Sequence, residues 1–406
     1  MAVYFLLGES GSGKSTALRA QVIRKSLEDP SSRHIVIVPE QSTFQAQQAF
    51  VREHPRNAML NIEVISFGHL AERVFREFSA EKAQILGENG KGLLLALAAA
   101  DVKRDLTVYA GQAAKPGFLA KLGSLFAEWD MNDISPDRLV EIAGSEELTP
   151  LLSAKLKDLS LIYRAFRTRL GSGTMTAEET LPRLSRLLPR SDIARGAYLY
   201  FDGFTGFTSV QYRLITELVR RSRESLFVFT IPEKEAALAE TIGREQLFGM
   251  SAAAIRNVGR CAKEAGQSVK HRFFAGKTGA ARTKKEDLDF LEKHLMRFSR
   301  ETYPDAPAHI AAVGCRNVRA ECRAALLEIE RLAREEGLSW RDMAVVIGDQ
   351  DRYIPPLEEV LKEAKVPYFT DRRAPLGRHP LIRMLEAALD AVSGGFDRDS
   401  VLRYLK

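Results

Sequence analysis

Cysteine is scarce in this chain: Cys261, Cys315 and Cys322 are the only three in 406 residues. They form no CxxC pair, which rules out a disulfide framework and leaves buried or incidental thiols. The seven histidines show no HExxH and no Cys/His cluster, so no zinc site is expected. Long apolar runs are missing as well. The stretch LLLALAAA at 93–100 is too short to cross a bilayer. The opening apolar run has no basic region before it and no small-residue cleavage site after it. It therefore reads as a core strand rather than a signal peptide, and the expected location is the cytoplasm, with no membrane partner.

What is present is ordinary for a soluble globular protein, with 45% hydrophobic and 28% charged residues. The length allows two or three domains. A net charge of +6 mildly favours an anionic partner such as nucleic acid. Basic clusters such as Arg220–Arg221 and RTKKE at 282–286 are also what a solvated face looks like.

Apolar runs at 3–7, 34–38 and 61–65 read as strands, each followed by a helical pattern: from about Gly13, over 41–54 and over 69–78. Alternation at this spacing predicts a parallel α/β sheet. From about 79 to 190 the apolar residues recur at i, i+3 and i+4 with no strand-like run, which predicts a helical insertion. The sheet resumes with AYLYFD at 197–202 and LFVFTI at 226–231. Residues 275–286 have no apolar periodicity and read as a linker. Their second GKT, at 276–278, lacks the upstream glycine of a phosphate loop.

After Pro307 a second α/β unit is expected. Its strands are AHIAAV, MAVVI and VPYFT. Its helices are VRAECRAALLEIERLAREEG, ending at a glycine, and PPLEEVLKEAK, with proline in its first turn. HPLIRMLEAALDAV and SVLRYLK read as helices, and the missing capping signal at the end suggests a truncated chain.

The chemistry is carried by Gly8-Glu9-Ser10-Gly11-Ser12-Gly13-Lys14-Ser15, which fits GxxxxGK[ST]. In such a loop the backbone N–H groups wrap a phosphate and the following helix adds its positive end. Lys14 would reach the β- and γ-phosphates, and the Ser15 hydroxyl would ligate Mg²⁺. Gly8, Gly11, Ser12, Gly13, Lys14, Ser15 and Thr16 are thus the expected ATP-binding set. The acidic partner for Mg²⁺ is Asp202, at the end of the apolar run LYF; a helix cap or turn is its plainer role. A base that orients water normally follows that aspartate. Here Gly203 follows, which predicts slow hydrolysis.

Several stretches in combination resemble a known family: the phosphate loop, VPEQSTF at 38–44, FDGFTGFT at 201–208 and VPYFTDRRAPLGRHPL at 366–381. The chain resembles the N-terminal part of the AddB family, one of the two components of bacterial AddAB ATP-dependent helicase–nucleases, over essentially its whole length. The resemblance implies two RecA-like parallel-sheet domains of superfamily-1 helicase type with helical insertions. Domain 1A would be 1–80 plus 191–275, with helical 1B at 81–190 and an irregular linker at 276–304. Domain 2A would begin at 305–375, and helical 2B at 376–406.

It also implies contacts to single-stranded or double-stranded DNA from Gln41, Thr43, Ser66 and Phe67. Phe67 could stack on a base, or be a core aromatic; Ser42 or Thr43 could simply cap a helix. An AddA-like subunit would complete a heterodimer. The family's four-cysteine 4Fe–4S cluster belongs to a C-terminal nuclease domain expected to be absent here, so neither cluster nor nuclease activity is expected of this chain. Lys14 and Asp202 would carry any hydrolysis, with Ser15 and Asp202 holding Mg²⁺. Two other readings of the loop stay open: a P-loop kinase or phosphotransferase, and a non-hydrolysing scaffold whose loop is vestigial.

Overall fold

The computed structural model describes residues 2–78, 84–132, 134–145, 148–171, 173–243, 245–274, 285–370 and 379–405. By internal packing these divide into two units, Met1–Thr302 and Tyr303–Lys406.

The first unit begins with β1 (Ala2–Gly8), α1 (Lys14–Glu28), β2 (His34–Ile37), α2 (Thr43–Glu53), β3 (Ile62–Ile65) and α3 (Phe67–Glu77). A largely helical block follows: β4 (Gln84–Ile85), α4 (Glu88–Asp101), α5 (Pro116–Met131), α6 (Pro136–Ala143), α7 (Pro150–Leu170), β5 (Thr174–Met175) and α8 (Thr180–Leu187). The chain then returns to the sheet with β6 (Tyr198–Phe201), α9 (Ser209–Arg221), β7 (Glu224–Thr230), α10 (Glu233–Ala237), α11 (Gly249–Glu264) and β8 (Ser268–Phe273), before α12 (Glu286–His294).

Six strands form one parallel sheet in the order β3-β2-β6-β7-β1-β8. The inner strands read as continuous apolar runs because both faces are covered. Side chains alternate between those faces. Leu6, Val36, Tyr200 and Val228 pack with Leu18 and Val22 of α1 and Phe50 of α2. Phe5, Leu7, Ile37, Leu199, Phe201 and Phe227 pack against α3, α8, α9 and α11. The insertion leaves the ladder unbroken, since β2 pairs with β6 from His34↔Tyr198 to Ile37↔Phe201.

The insertion has its own core around Leu95, Leu122, Phe126, Ile162, Tyr163 and Phe166. A buried carboxylate organises it. Asp158, on the inner face of α7, accepts from Thr107 N (3.0 Å), Thr107 Oγ1 (3.1 Å), Val108 N (2.7 Å) and Tyr109 N (2.9 Å). Burial alone would push its pKa up; these hydrogen bonds outweigh it and hold the carboxyl below the usual range.

Three expectations need correction, and one strand is unexpected. The insertion does contain strand, because β4 and β5 form a two-residue parallel pair. The edge strand β8 is not among the expected strands: SVKHRF is largely exposed, so its charged residues hide the apolar alternation. The segment expected to be irregular carries α12; its residues 276–284 lie outside the described ones.

The largest correction concerns the second unit. It contains α13 (Val318–Glu335), α14 (Gln350–Glu363), α15 (Pro380–Ser393) and α16 (Arg398–Leu405), and no strand among its described residues. Of the three runs expected as strands, VPYFT keeps a strand-like alternation of burial, MAVVI is half-buried only at its two ends, and AHIAAV is exposed apart from half-buried Ile310. Ile347, Val366 and Tyr368 pack with Cys322, Leu357 and Leu361, whereas Val346 and Phe369 point to solvent. No neighbouring backbone completes a ladder, and alternation alone cannot supply one. α14 also starts earlier than its prolines suggest, because Asp349 caps it by accepting from Arg352 N (3.2 Å). Of the 366–381 signature, residues 371–378 lie outside the described ones.

Candidate nucleotide-binding site

The helices that begin at the C-terminal edge of the sheet differ in how their first turns are satisfied. Ser66 caps α3 by accepting from His69 N (3.2 Å). Thr208 and Gln211 close α9 with a reciprocal capping box. α1 has neither. Its cap is Gly13, in the left-handed region at φ 89°, with no side chain to accept from the first turn. The N–H groups there remain available to an anion, at the positive end of a 15-residue helix.

The loop requires its glycines for two distinct reasons. Gly11 (φ 70°) and Gly13 take left-handed backbone that a side chain would strain. Gly8 is excluded from substitution by space: a Cβ there would lie 2.8 Å from Phe274 O and 3.1 Å from Ser12 Oγ. Lys14 is buried, and its Nζ donates to Glu9 O at 2.5 Å and to Ser12 Oγ at 3.4 Å. Burial lowers its pKa, while the carboxylates of Asp202 and Glu9 work the other way.

Asp202 follows β6, and its N–H extends the ladder to Ile37 O (3.1 Å). Its Oδ1 accepts from Ser15 Oγ (3.2 Å) and from Gly203 N (3.0 Å). Two residues 187 positions apart, expected to share a cation, are thus in contact. Burial pushes the Asp202 carboxyl above the usual range despite these donors and the nearby charges of Arg19 and Lys14. A hydroxyl and a carboxylate meeting beside a phosphate loop are the hard oxygen ligands that suit Mg²⁺, and the cradle suits a triphosphate. Thr16 is exposed on the first turn of α1, where its Oγ1 accepts from Arg19 (3.3 Å).

Gly203 has a structural reason to be glycine. Its φ is 80°, and a Cβ would meet Pro39 Cδ at 3.3 Å. A glutamate here would be strained before it could orient a water molecule.

The residues expected at DNA gather at the same edge, after β2 and β3, but are engaged differently. Gln41 is exposed. Thr43 is buried and donates to Pro39 O (3.3 Å). Ser66 is buried as the cap of α3. Ser42 precedes α2 without a side-chain capping bond. Phe67 is 5% exposed, with its ring among Phe201, Phe204 and Phe207, so it is a core aromatic and offers no face to a base. The exposed ring at this edge is Phe44, 69% exposed. The sequence held the signal: Phe44 shares the solvent face of α2 with Gln45 and Gln48, away from buried Thr43 and Phe50.

No group of three or more His, Cys, Asp or Glu among the described residues could hold a metal ion by itself, and no helix there is long and apolar enough to cross a membrane.

Residues 5–292 match the family described as ADDB, N-terminal. The chain is 32% identical over 413 residues to the B subunit of the ATP-dependent helicase/deoxyribonuclease of Moorella thermoacetica, covering 100% of this chain and 36% of that protein. It is 29% identical over 410 residues to the protein of that name from Lachnoclostridium phytofermentans, again covering 100% and 36%. For the one from Desulfitobacterium hafniense strain Y51 the identity is 30% over 418 residues, covering 100% and 34%. The chain thus spans about a third of the length of these relatives. With its phosphate loop, its Asp202 and a match over most of its length, the chain belongs to the AddB N-terminal family.

Proposed function

We propose that this chain is the nucleotide- and DNA-binding part of a helicase–nuclease subunit acting in double-strand-break repair by homologous recombination. It binds ATP with Mg²⁺ on the 8–15 loop and single-stranded DNA along the edge formed after β2 and β3, scanning the strand for a recombination hotspot. It works in the cytoplasm with an AddA-like partner, and its own hydrolysis is weak or absent. The observation that carries this reading is the contact of Ser15 with Asp202 beside an uncapped α1, followed by a glycine where a base would stand.

In this reading the N–H groups of the loop orient the phosphates, and Lys14 turns from Glu9 O toward them. Ser15 and Asp202 hold the cation, which when bound neutralises phosphate charge. No side chain at 203 positions an attacking water. That favours a nucleotide-stabilised scanning subunit over a motor, and is also why the scaffold reading stands second. Phe44 takes the stacking role expected of Phe67, with Gln41 beside it.

The test is ATP binding and steady-state hydrolysis, with and without single-stranded DNA, for the chain and for Lys14→Ala. Lys14-dependent binding with little turnover is expected. DNA-stimulated turnover that Lys14→Ala abolishes would overturn the account of Gly203. No binding at all would mean a vestigial loop.

A further inference from the structure

We propose that Phe274 is the platform on which the base of the bound nucleotide stacks. The proposal rests on the nucleotide-binding reading of the 8–15 loop and adds the part of the ligand that the loop itself does not grip.

The position of Phe274 follows from the alternation of the edge strand. His271 packs edge-on against Phe5, and Phe273 against the same core, on the α9 and α11 face. Lys270 lies over Tyr4 on the other face, and Phe274, continuing that register, packs beside Leu6 and Leu18 on the α1 side. The backbone of Phe274 is tied to the phosphate loop, since its N–H donates to Leu7 O (2.8 Å) and its carbonyl fills the space a Cβ on Gly8 would need. Its ring reaches the other end of the loop: Cε1 lies 3.8 Å from where a Cβ on Gly13 would stand. One residue thus flanks both the first and the last glycine of the cradle.

The ring is half-buried, not enclosed. A triphosphate on this loop leaves the sugar and base to be held by whatever flanks it. On the β8 side that flank is a phenyl ring, which has no hydrogen-bonding group and offers a flat face. Such a surface beside an anion cradle suits a planar base, and stacking tolerates different bases because each has a π-face.

The test is calorimetric binding of ATP, GTP and inorganic tripolyphosphate, each with Mg²⁺, to the 406-residue chain and to Phe274→Leu and Phe274→Tyr. Phe274→Leu keeps an apolar side chain and removes the flat face. It should weaken ATP and GTP about 5- to 150-fold while leaving tripolyphosphate within about twofold, and Phe274→Tyr should keep all three near the original affinities. If Phe274→Leu weakens tripolyphosphate as much as ATP, Phe274 only packs the loop and the proposal is wrong with the nucleotide reading intact. Unchanged ATP and GTP binding in Phe274→Leu would overturn it equally. If the unaltered chain binds neither ATP nor tripolyphosphate, the loop reading fails and takes this proposal with it.

Discussion

Acid should loosen the central sheet through one buried imidazole. His34 opens β2 with no exposed surface, stacked on Tyr198 (5.0 Å) and Tyr200 (6.0 Å). Its ring nitrogens pair with Ser32 Oγ (2.8 Å) and Tyr200 Oη (3.2 Å). Burial, reinforced by the charge of Lys25 and opposed by Asp29, lowers its pKa from 6.5 to about 4. Because the folded pKa lies below the unfolded one, the unfolded chain takes up the proton first. Stability is unaffected above pH 6.5, falls as pH drops through the interval between the two values, and levels off below about 4.

The difference between 6.5 and about 4 corresponds to about 3 kcal/mol in full, of which about 2 kcal/mol is lost by pH 5. The assay is amide hydrogen exchange of peptides covering β2 and β6 between pH 7.5 and 4.5, corrected for intrinsic rates. It is run alongside His34→Gln, which keeps hydrogen-bonding groups and cannot titrate. The unaltered chain should lose about 2 kcal/mol more than His34→Gln on going to pH 5. Equal losses in the two proteins, or an imidazole NMR titration near 6.5, would refute the reasoning.

Three other perturbations follow from the same structure. Asp158→Asn should destabilise the helical insertion by about 1–3 kcal/mol, less than Asp158→Ala, because whichever way the amide turns its NH₂ faces at least one N–H donor, Thr107 N in the milder orientation; melting and proteolysis near 107–109 read this, and an Asn variant as stable as the unaltered chain would contradict it. Gly203→Glu should cost about 1–2 kcal/mol in thermal stability and should not raise ATP turnover, since the left-handed backbone beside Pro39 resists the new side chain; a faster ATPase would show that the backbone adapts. Phe67→Ala should cost about 3–5 kcal/mol of stability, whereas Phe44→Ala should cost under about 0.5 kcal/mol and weaken single-stranded DNA binding by about 1–3 kcal/mol; melts and fluorescence anisotropy separate the two, and reversed effects would exchange their roles.

The geometry of the 8–15 loop is legible in the sequence because its constraints are local. Left-handed turns demand Gly11 and Gly13, and the lysine and serine follow at fixed spacing. Asp202 is legible as the polar end of an apolar run. Phe67 is not, because its burial depends on Phe204 and Phe207, which arrive from a loop far along the chain. Asp158 resembles a surface acid in KLKDLS, although it shares a helical face with Ile162 and Phe166 at i, i+4 and i+8. The second unit misleads for the opposite reason. The alternation at 366–370 is real, but pairing is a property of two segments, and a single segment's pattern cannot reveal whether a neighbour comes alongside.

The sheet order has a consequence for how the protein is made. β1 lies between β7 and β8, so it leaves the ribosome with no sheet neighbour until residues 224–273 follow it. At about 5–20 residues per second, that is a delay of roughly 11–45 s with an apolar strand and its glycine loop unpaired. β2 can pair with β3 early but waits for its second neighbour, β6, across the whole helical insertion, which has its own core around Phe126 and Tyr163. The 8–15 loop is therefore made well before the strands that flank it and is assembled only after them. A nucleotide captured there would report that the sheet has closed, and would hold it closed.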